Sequence, residues 1–253
     1  MKEMINSLLE LLSNPYFITM ILAAVIPKLI SRVKYLKRKK EYTDSSYYKI
    51  TGIQYDSIKK DDGKYGEYLL YKEIKLYETD NGRFLFNLYL PKEDGKTTEI
   101  DVVLICTKGI IVFESKNYSG WIFGDEKRPF WTQTLPIGIG DSQKERFYNP
   151  IMQNKKHIEY IRKQIARDIP IFSVIVFSDR CTFKKLSVQN DAHKVIYRSE
   201  LKSTVDNTLS GLSEKMSSNE VKDLYDKLYP FSQVSEEAKM KHIENVKVDV
   251  GKN

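Results

Sequence analysis

The stretch EIDVVLICTKGIIVFESK, residues 99–116, decides the fold because it predicts two apolar strands joined by a tight turn. Short apolar runs on either side of a turn-forming segment such as CTKG are typical of a β-hairpin. If the turn is centred between its Thr and Lys, Asp101 lies opposite Glu114. Directly opposed side chains have Cβ atoms about 5 Å apart, so the hairpin predicts two neighbouring carboxylates.

The second strand of this hairpin carries charge on one face as it ends. Alternation places Val112, Glu114 and Lys116 on the same side, and the same register puts Glu99 opposite Lys116. A bulge at Gly109 would shift this register by one residue. With the simple register, acids and a lysine share one small patch.

Two interpretations of this patch remain open at the level of residues. It is either an exposed sheet face with ordinary cross-strand ion pairs, or a site where a cation separates the opposed carboxylates. Val103, Ile105 and Val112 lie on the same face and favour a covered site. Mg²⁺ prefers oxygen ligands and binds through one or two carboxylates, which suits this pattern.

Net charge gives no evidence for nucleic-acid binding by the whole chain. The 253 residues include 41 Lys and Arg and 34 Asp and Glu, but seven of the basic residues lie within residues 28–40. The remainder of the chain is therefore neutral, and only local patches could attract phosphate. Cys106 and Cys181 are far apart without metal-ligand spacing and are expected to be packing residues.

An uncharged segment, residues 11–27, precedes this basic cluster and predicts a single membrane span. The basic residues follow it, which is unlike a cleaved signal and places the C-terminal domain in the cytoplasm by the positive-inside rule. Ser13, Asn14 and Pro15 interrupt the run, so an interfacial helix is the alternative.

The rest of the chain divides by composition and periodicity. We expect a membrane anchor with basic juxtamembrane residues at 1–36, a tether at 37–60, a folded domain at 61–180 and a C-terminal strand and helices at 181–253. Within the domain, a helix capped near Asp61, three strands, a helix starting at Asn149 and an apolar strand at 171–178 predict an α/β fold with one mixed sheet flanked by helices. A polar tail ends the chain.

Four ordered motifs resemble the nuclease-related domain (NERD) family over roughly residues 62–180. They are GKYGEYLL (63–70), EIDVVLICTKGIIVFESKNYSGWIFG (99–124), the W-x-Q of Trp131–Gln133 and FYNPIMQNKKHI (147–158). The trailing segment up to KMKHIENVK (239–247) is also similar to members of that family, several of which carry an N-terminal membrane segment.

The resemblance implies a restriction-endonuclease-like fold, because this family is placed in the PD-(D/E)xK nuclease superfamily. It implies that Asp101 is the first strand acid, although Ile100 stands where the pattern has proline. It also implies that Glu114-Ser115-Lys116 is the E-x-K motif, with Asp101, Glu114 and the Ser115 carbonyl holding Mg²⁺, or Mn²⁺, and Lys116 assisting water attack.

Accessory roles follow from the same resemblance, each with a simpler alternative. Glu67 matches a glutamate on the first helix but also suits the helix dipole. Gln153 resembles a catalytic glutamine, and Gln133, His157, Lys155 and Lys156 are candidate nucleic-acid contacts, although Gln153 and His157 could simply face solvent. Lys155, Lys156, Arg162, Lys163 and Arg167 form a basic helix face that is either solvated or bound to phosphate.

The function predicted from these residues is a membrane-tethered, Mg²⁺-dependent nuclease acting on DNA in preference to RNA, with protein partners undetermined. The alternative is a non-catalytic module that uses the same fold to bind nucleic acid or a protein at the membrane. A structural membrane protein with an inert domain is the third hypothesis. The complete set of two acids and a lysine favours the enzyme.

Overall fold

A computed structural model describes residues 1, 4–6, 13–138 and 140–251, with side chains as far as residue 246 in the last helix. The chain forms two compact units, Met1–Ser45 and Ser46–Asn253. The first unit is dominated by helix α1 (Pro15–Thr43), which Asn14 caps by accepting hydrogen bonds from the backbone N–H groups of Tyr16 and Phe17. Residues 11–12 of the predicted apolar segment lie outside the described residues.

Helix α1 is long and apolar enough to cross a membrane by length and composition. Its 29 residues correspond to about 43 Å, compared with a hydrocarbon core of about 30 Å. The same helix continues through the basic residues 28–40, so the predicted anchor and the start of the predicted tether form one continuous helix.

The second unit is a mixed α/β structure, which confirms the predicted fold class. Its helices are α2 (Ser46–Thr51), α3 (Tyr55–Ile58), α4 (Asp62–Ile74), α5 (Pro150–Ile165), α6 (Leu201–Leu209), α7 (Ser218–Leu228) and α8 (Glu236–Gly251). Its strands are β1 (Gly82–Pro91), β2 (Thr97–Cys106), β3 (Gly109–Lys116), β4 (Gly120–Asp125), β5 (Phe130–Pro136), β6 (Ser142–Tyr148), β7 (Ile171–Phe177), β8 (Cys181–Ser187) and β9 (His193–Tyr197).

The principal sheet has the strand order β1-β2-β3-β7-β9. Strands β1, β2 and β3 are antiparallel, and β7 pairs in parallel with both β3 and β9. Val103, Ile105 and Val112 are fully buried in a core that includes apolar residues of α5 and α7. The face that carries the charges is therefore covered, as the sequence predicts.

A second sheet, with the order β6-β5-β4-β8, was not expected from the sequence. The sequence indicated one mixed sheet because SQKERFY and CTFKKLS are largely polar, and most of their side chains are exposed. Strands of this kind have weak hydrophobic periodicity.

The β2–β3 hairpin has the predicted register without a bulge. Cys106 pairs with Gly109 and Val103 pairs with Val112 around the two-residue turn. The ladder ends at Val102 and Phe113, so Asp101 and Glu114 are the first residues beyond it. The predicted opposition of Glu99 and Lys116 is wrong, because the ladder between β2 and β3 ends at Val102 and Phe113 and does not reach them. On their other edges, Glu99 pairs with Tyr89 of β1 and Lys116 pairs with Phe177 of β7.

Two segments are more ordered than the sequence indicated. Residues 37–60, expected to be a tether, contain the end of α1 and helices α2 and α3. Tyr47 in α2 is fully buried, with its ring 4.8 Å from that of Phe86, because its aromatic surface packs on β1. The expected polar tail contains helix α8.

Candidate active site

The end of the β2–β3 ladder places the two strand acids side by side. Asp101 Oδ2 accepts a hydrogen bond at 2.8 Å from the backbone N–H of Ser115. The carboxylate therefore satisfies a strand N–H just beyond the last backbone pair of the hairpin. This contact fixes Asp101 beside Glu114 at the point where the strands diverge.

Lys116, the last residue of β3, forms hydrogen bonds to a carboxylate of its own strand and to helix α5. Its Nζ donates to Glu114 Oε1 at 2.6 Å and to Gln153 Oε1 at 3.2 Å. Glu114 is almost fully buried, while 14% of the Lys116 side chain is exposed. Gln153 is partly buried and joins the site, so it does not simply face solvent.

His157 lies one helical turn after Gln153 and also faces Glu114. Its Nε2 is 3.2 Å from Glu114 Oε2, and its Nδ1 is 3.0 Å from Thr98 Oγ1. The His157–Glu114 distance suits an ion pair, but its alignment does not complete a hydrogen bond, and both atoms are buried. His157 is thus part of the acid site rather than a solvent-facing residue of α5.

Two asparagines position helix α5 against the sheet. Asn149 caps the helix by accepting from Ile151 N–H, and its amide donates to three carbonyl groups of residues 125–128. Asn154 is fully buried and donates to Val112 O and Ser173 Oγ. These bonds tie α5 to β3 and β7 and hold Gln153 and His157 over the acids.

Helix α4 brings Glu67 to the other side of the strand ends. The helix can approach closely because Gly66 has no side chain. A Cβ at this position would lie 2.6 Å from Asn117 Cβ, so one of the two would have to move. Glu67 follows Gly66 and is buried. Its Oε2 accepts a hydrogen bond from the Tyr47 hydroxyl.

A lysine that the sequence analysis did not select occupies the space among these acids. Lys64 Nζ lies 2.6 Å from Glu99 Oε1, 3.1 Å from Glu67 Oε1 and 2.7 Å from Asn87 Oδ1. The Tyr89 hydroxyl donates to the same Glu99 oxygen. Lys64 therefore bridges Glu67 and Glu99 as an internal cation.

Asn87 adopts a left-handed backbone conformation in the middle of β1, with φ of 53°. It lies between the Phe86–Val102 and Leu88–Ile100 pairs and therefore faces Asp101 across the ladder. Asparagine tolerates this conformation better than most residues. Strained backbone of this kind is concentrated at functional sites, and here it adjoins the first strand acid.

Burial and like charges shift the carboxyl groups in different directions. Burial, together with the charges of Glu114 and Glu67, raises the pKa of Asp101 well above its usual value. Burial also raises the pKa of Glu67 to about 7 in spite of the lowering effect of Lys64. Burial alone would raise the pKa of Glu114, but Lys116 and His157 lower it overall. Burial is the largest cause of both raised pKa values, and the neighbouring carboxyl groups add to it.

Lys116 is held as an ammonium group. Burial alone would lower its pKa, but the charge of Glu114, the neighbouring Tyr118 and Asp101 and the hydrogen bond to Glu114 together outweigh burial and raise it. Its Nζ donates to two oxygens, which requires protons on the nitrogen.

The residues fit a hard divalent cation. Asp101 and Glu114 offer carboxylate oxygens, which Mg²⁺ and Mn²⁺ prefer as ligands, and the buried Oε2 of Glu114 has His157 Nε2 beside it at 3.2 Å. Among the residues that the structure describes, no group of three or more His, Cys, Asp or Glu side chains has the arrangement of a complete metal site. The set present is two carboxylates, Asp101 and Glu114, next to a backbone carbonyl at Ser115.

A cleft of about 560 Å³ opens onto this site. Asp101, Gln153 and His157 line one part of it. The rest of its wall comes from the hairpin, the second sheet, α5 and α8: Lys92, Thr97, Thr98, Glu99, Pro129, Phe130, Tyr148, Lys156, His242 and Val246. The volume is in the range of about 300–1,000 Å³ that small-molecule and cofactor sites occupy.

The other residues predicted to contact nucleic acid lie in the second sheet, at the cleft or on the protein surface. Gln133 is buried and its amide donates to Ser119 O, so the structure gives it a packing environment in the second sheet. Lys155 and Lys156 are exposed, and only Lys156 lines the cleft. Of the other basic residues of this region, Arg162 is exposed, Lys163 pairs with Glu93 and Arg167 pairs with Glu220.

Several site residues were missed by sequence reasoning. Gly66 carried a usable signal, because glycine inside a helix costs stability and often marks a close approach. Asn87 interrupts an otherwise apolar strand and was a weaker signal of the same kind. Lys64, Thr98 and Asn154 look like ordinary polar residues of a helix or strand, and only the fold brings them to the acids.

The five-stranded mixed sheet brings two acids and a lysine together where β2 and β3 separate. Residues 62–178 match the family model for the nuclease-related domain. An uncharacterized protein of Bacillus anthracis is 30% identical over 181 residues, covering 72% of this chain and 82% of that protein. This chain therefore belongs to the nuclease-related domain family, and the PD-(D/E)xK placement is consistent with that family. No solved structure matches it significantly.

Proposed function

We propose that this protein is a membrane-tethered, metal-dependent nuclease that hydrolyses phosphodiester bonds of DNA, with RNA as the second possible polymer. The observation that carries the proposal is the convergence of Asp101, Glu114 and Lys116 where β2 and β3 separate, beside a cleft. A purely structural surface has no need of two neighbouring carboxylates, one of them almost fully buried. Membership of the nuclease-related domain family supports the same function.

Asp101 and Glu114 would hold the cation, together with the backbone carbonyl of Ser115. When bound there, Mg²⁺ or Mn²⁺ would polarise the scissile phosphate and acidify water. The chain's own contribution is to fix the two carboxylates, Asp101 through Ser115 N–H and Glu114 through Lys116. Glu114 and Glu67 repel a charge on the buried Asp101, and a cation bound between the carboxyl groups would relieve this repulsion.

Lys116 would stabilise negative charge that develops on the phosphate. Its Nζ donates to Glu114 and Gln153 and is positioned as a donor of hydrogen bonds. Because the Nζ group is preorganised, it can interact with the transition state without rearranging first. Gln153 orients this ammonium group from α5. Glu67 would supply a further carboxylate on the other side of Asp101. In this structure Lys64 balances the charge of Glu67.

The apolar part of α1 would anchor this domain to the membrane as a single span, with the C-terminal domain in the cytoplasm. The length of the helix and the seven basic residues that follow its apolar part support this orientation. In that orientation the nuclease domain would act on nucleic acid in the cytoplasm.

The test is a cleavage assay on the full-length protein in detergent with end-labelled DNA and RNA strands. We expect cleavage of DNA with Mg²⁺ or Mn²⁺ and none with EDTA. Binding of DNA without cleavage under all metal conditions would favour the non-catalytic binding module instead. A full-length variant with Glu114→Gln serves as the matched control, because any cleavage it retains comes from a contaminant.

A further inference from the structure

The cleft beside the acid site, which Asp101 lines, has a second wall made of aromatic rings. Phe130 in β5 and Tyr148 in β6 are partly exposed and lie edge to face, with ring centroids 6.1 Å apart. Tyr148 is joined to α5 by Asn149, so it lies close in the chain to Gln153 and Lys156. The two rings and the candidate residues Asp101 and Gln153 therefore line the same cleft from different elements.

A positively charged side chain lies over each of these two rings. Lys156 Nζ lies 5.6 Å from the centroid of the Tyr148 ring, and the guanidinium of Arg146 lies 4.6 Å from that of Phe130. Lys156 is exposed on the helix and lines the cleft, so its side chain can move from the ring to a phosphate. Aromatic faces interleaved with cations are the features that single-stranded nucleic acids bind.

We infer that Phe130 and Tyr148 form a stacking subsite for one unpaired nucleobase, next to the phosphodiester that the acid site acts on. The inference rests on the proposed function and specifies its substrate as single-stranded DNA or a frayed DNA end. A base inside a duplex has both faces covered by its neighbours, so only an unpaired or extruded base can stack on Tyr148. Lys156 then contacts the phosphate beside that base.

The experiment measures binding without cleavage. Full-length protein in detergent is titrated with a fluorescent 12-nucleotide single strand, or with a blunt duplex of the same sequence, with Ca²⁺ in place of Mg²⁺. We expect the single strand to bind at least about tenfold more tightly than the duplex, because base stacking contributes to the single strand alone. Equal or tighter binding of the duplex overturns the inference, and this comparison needs no variant.

Variants then locate the subsite. Tyr148→Ala should weaken single-strand binding by between about fivefold and about a hundredfold, whereas Tyr148→Phe should bind like the wild type because it keeps the ring. Trp121→Ala is the matched control, since Trp121 is 40% exposed and has Lys184 over its ring but does not line the cleft. Equal weakening by Trp121→Ala and Tyr148→Ala would overturn the assignment.

These experiments test the stacking subsite and the nuclease activity independently of each other. If the protein binds single strands through Tyr148 but never cleaves them, the subsite stands and the nuclease proposal fails. If it cleaves with metal while Tyr148→Ala binds single strands like the wild type, the nuclease proposal stands and the stacking subsite is wrong.

Discussion

The carboxylate of Asp101 accepts a hydrogen bond from the backbone N–H of Ser115 at 2.8 Å, just beyond the last backbone pair of the β2–β3 hairpin. The first strand acid is therefore held by the strand that carries the second acid. One side chain thus has two functions: it completes the hairpin, and it supplies a charged oxygen to the candidate metal site. An amide oxygen could perform the first function, whereas only the carboxylate supplies the charge.

Asp101→Asn should raise the thermal stability of the metal-free protein. The amide oxygen can still accept the hydrogen bond from Ser115, and the change removes a carboxyl group whose pKa is raised by burial and by repulsion from Glu114 and Glu67. The expected gain is about 1 kcal/mol, or roughly 2–4 °C in melting temperature. Thermal unfolding in EDTA measures it, and Asp101→Ala, which lacks the acceptor, should melt below Asp101→Asn. A lower melting temperature for Asp101→Asn than for the wild type would contradict this account.

Glu67 should make stability depend on pH. Because its pKa is raised from 4.5 to about 7 in the folded protein, the folded state binds more protons than the unfolded state between these values. Stability from this group is therefore full below pH 4.5 and is lost as the pH rises through 7, by about 3 kcal/mol in total. Urea unfolding in EDTA at several pH values should show this slope, and Glu67→Gln should reduce it. Identical slopes in the two proteins would rule out this effect.

Lys64 should stabilise the metal-free domain more than an exposed lysine does. Lys64→Met leaves the buried Glu67 and the partly buried Glu99 without their shared cation, and removal of one partner from a buried pair costs about 3 kcal/mol. Lys163→Met is the control, since Lys163 pairs with Glu93 at the surface and should change stability little. Urea unfolding of the two variants in EDTA gives the comparison. Equal losses would show that Lys64 does not act as an internal cation.

Deletion of residues 1–30 should release the protein from membranes. The apolar part of α1 belongs to the first compact unit, while the sheet and candidate site belong to the second. Cell fractionation should find the intact protein in the membrane pellet after an alkaline wash and the truncated protein in the supernatant. An intact protein that the wash removes would favour the interfacial helix over a membrane span.

The hairpin and its register could be predicted because strand alternation and a two-residue turn leave few arrangements. Asp101, Glu114 and Lys116 followed directly, since they are close in that hairpin. The divergence of β2 and β3 beyond Val102 could not be read from residues 99–116. Beyond the end of that ladder, β3 stays paired with β7, which lies more than 50 residues later in the chain.

Other parts of the site arise from tertiary contacts without a local pattern. The helical period placed Gln153 and His157 on one stripe of α5, but the bonds of Asn154 to β3 and β7 determine what that stripe faces. Lys64 lies in an ordinary first helical turn, and its partners come from α4, β1 and β2. Long-range ion pairs of this kind leave no periodic signal in the sequence.

The most direct test of the central claim compares Lys116→Met and Asp101→Asn for Mg²⁺ binding by calorimetry and for cleavage of a labelled DNA strand. Lys116→Met should lose cleavage by a factor of about 100 or more while retaining Mg²⁺ and DNA binding, because an interaction made in the transition state changes turnover more than binding. Asp101→Asn should lose both Mg²⁺ binding and cleavage, because a neutral amide replaces a charged oxygen ligand. Lys163→Met should behave like the wild type. Equal cleavage by Lys116→Met and the wild type in the presence of metal would contradict the assignment of these residues as a nuclease site.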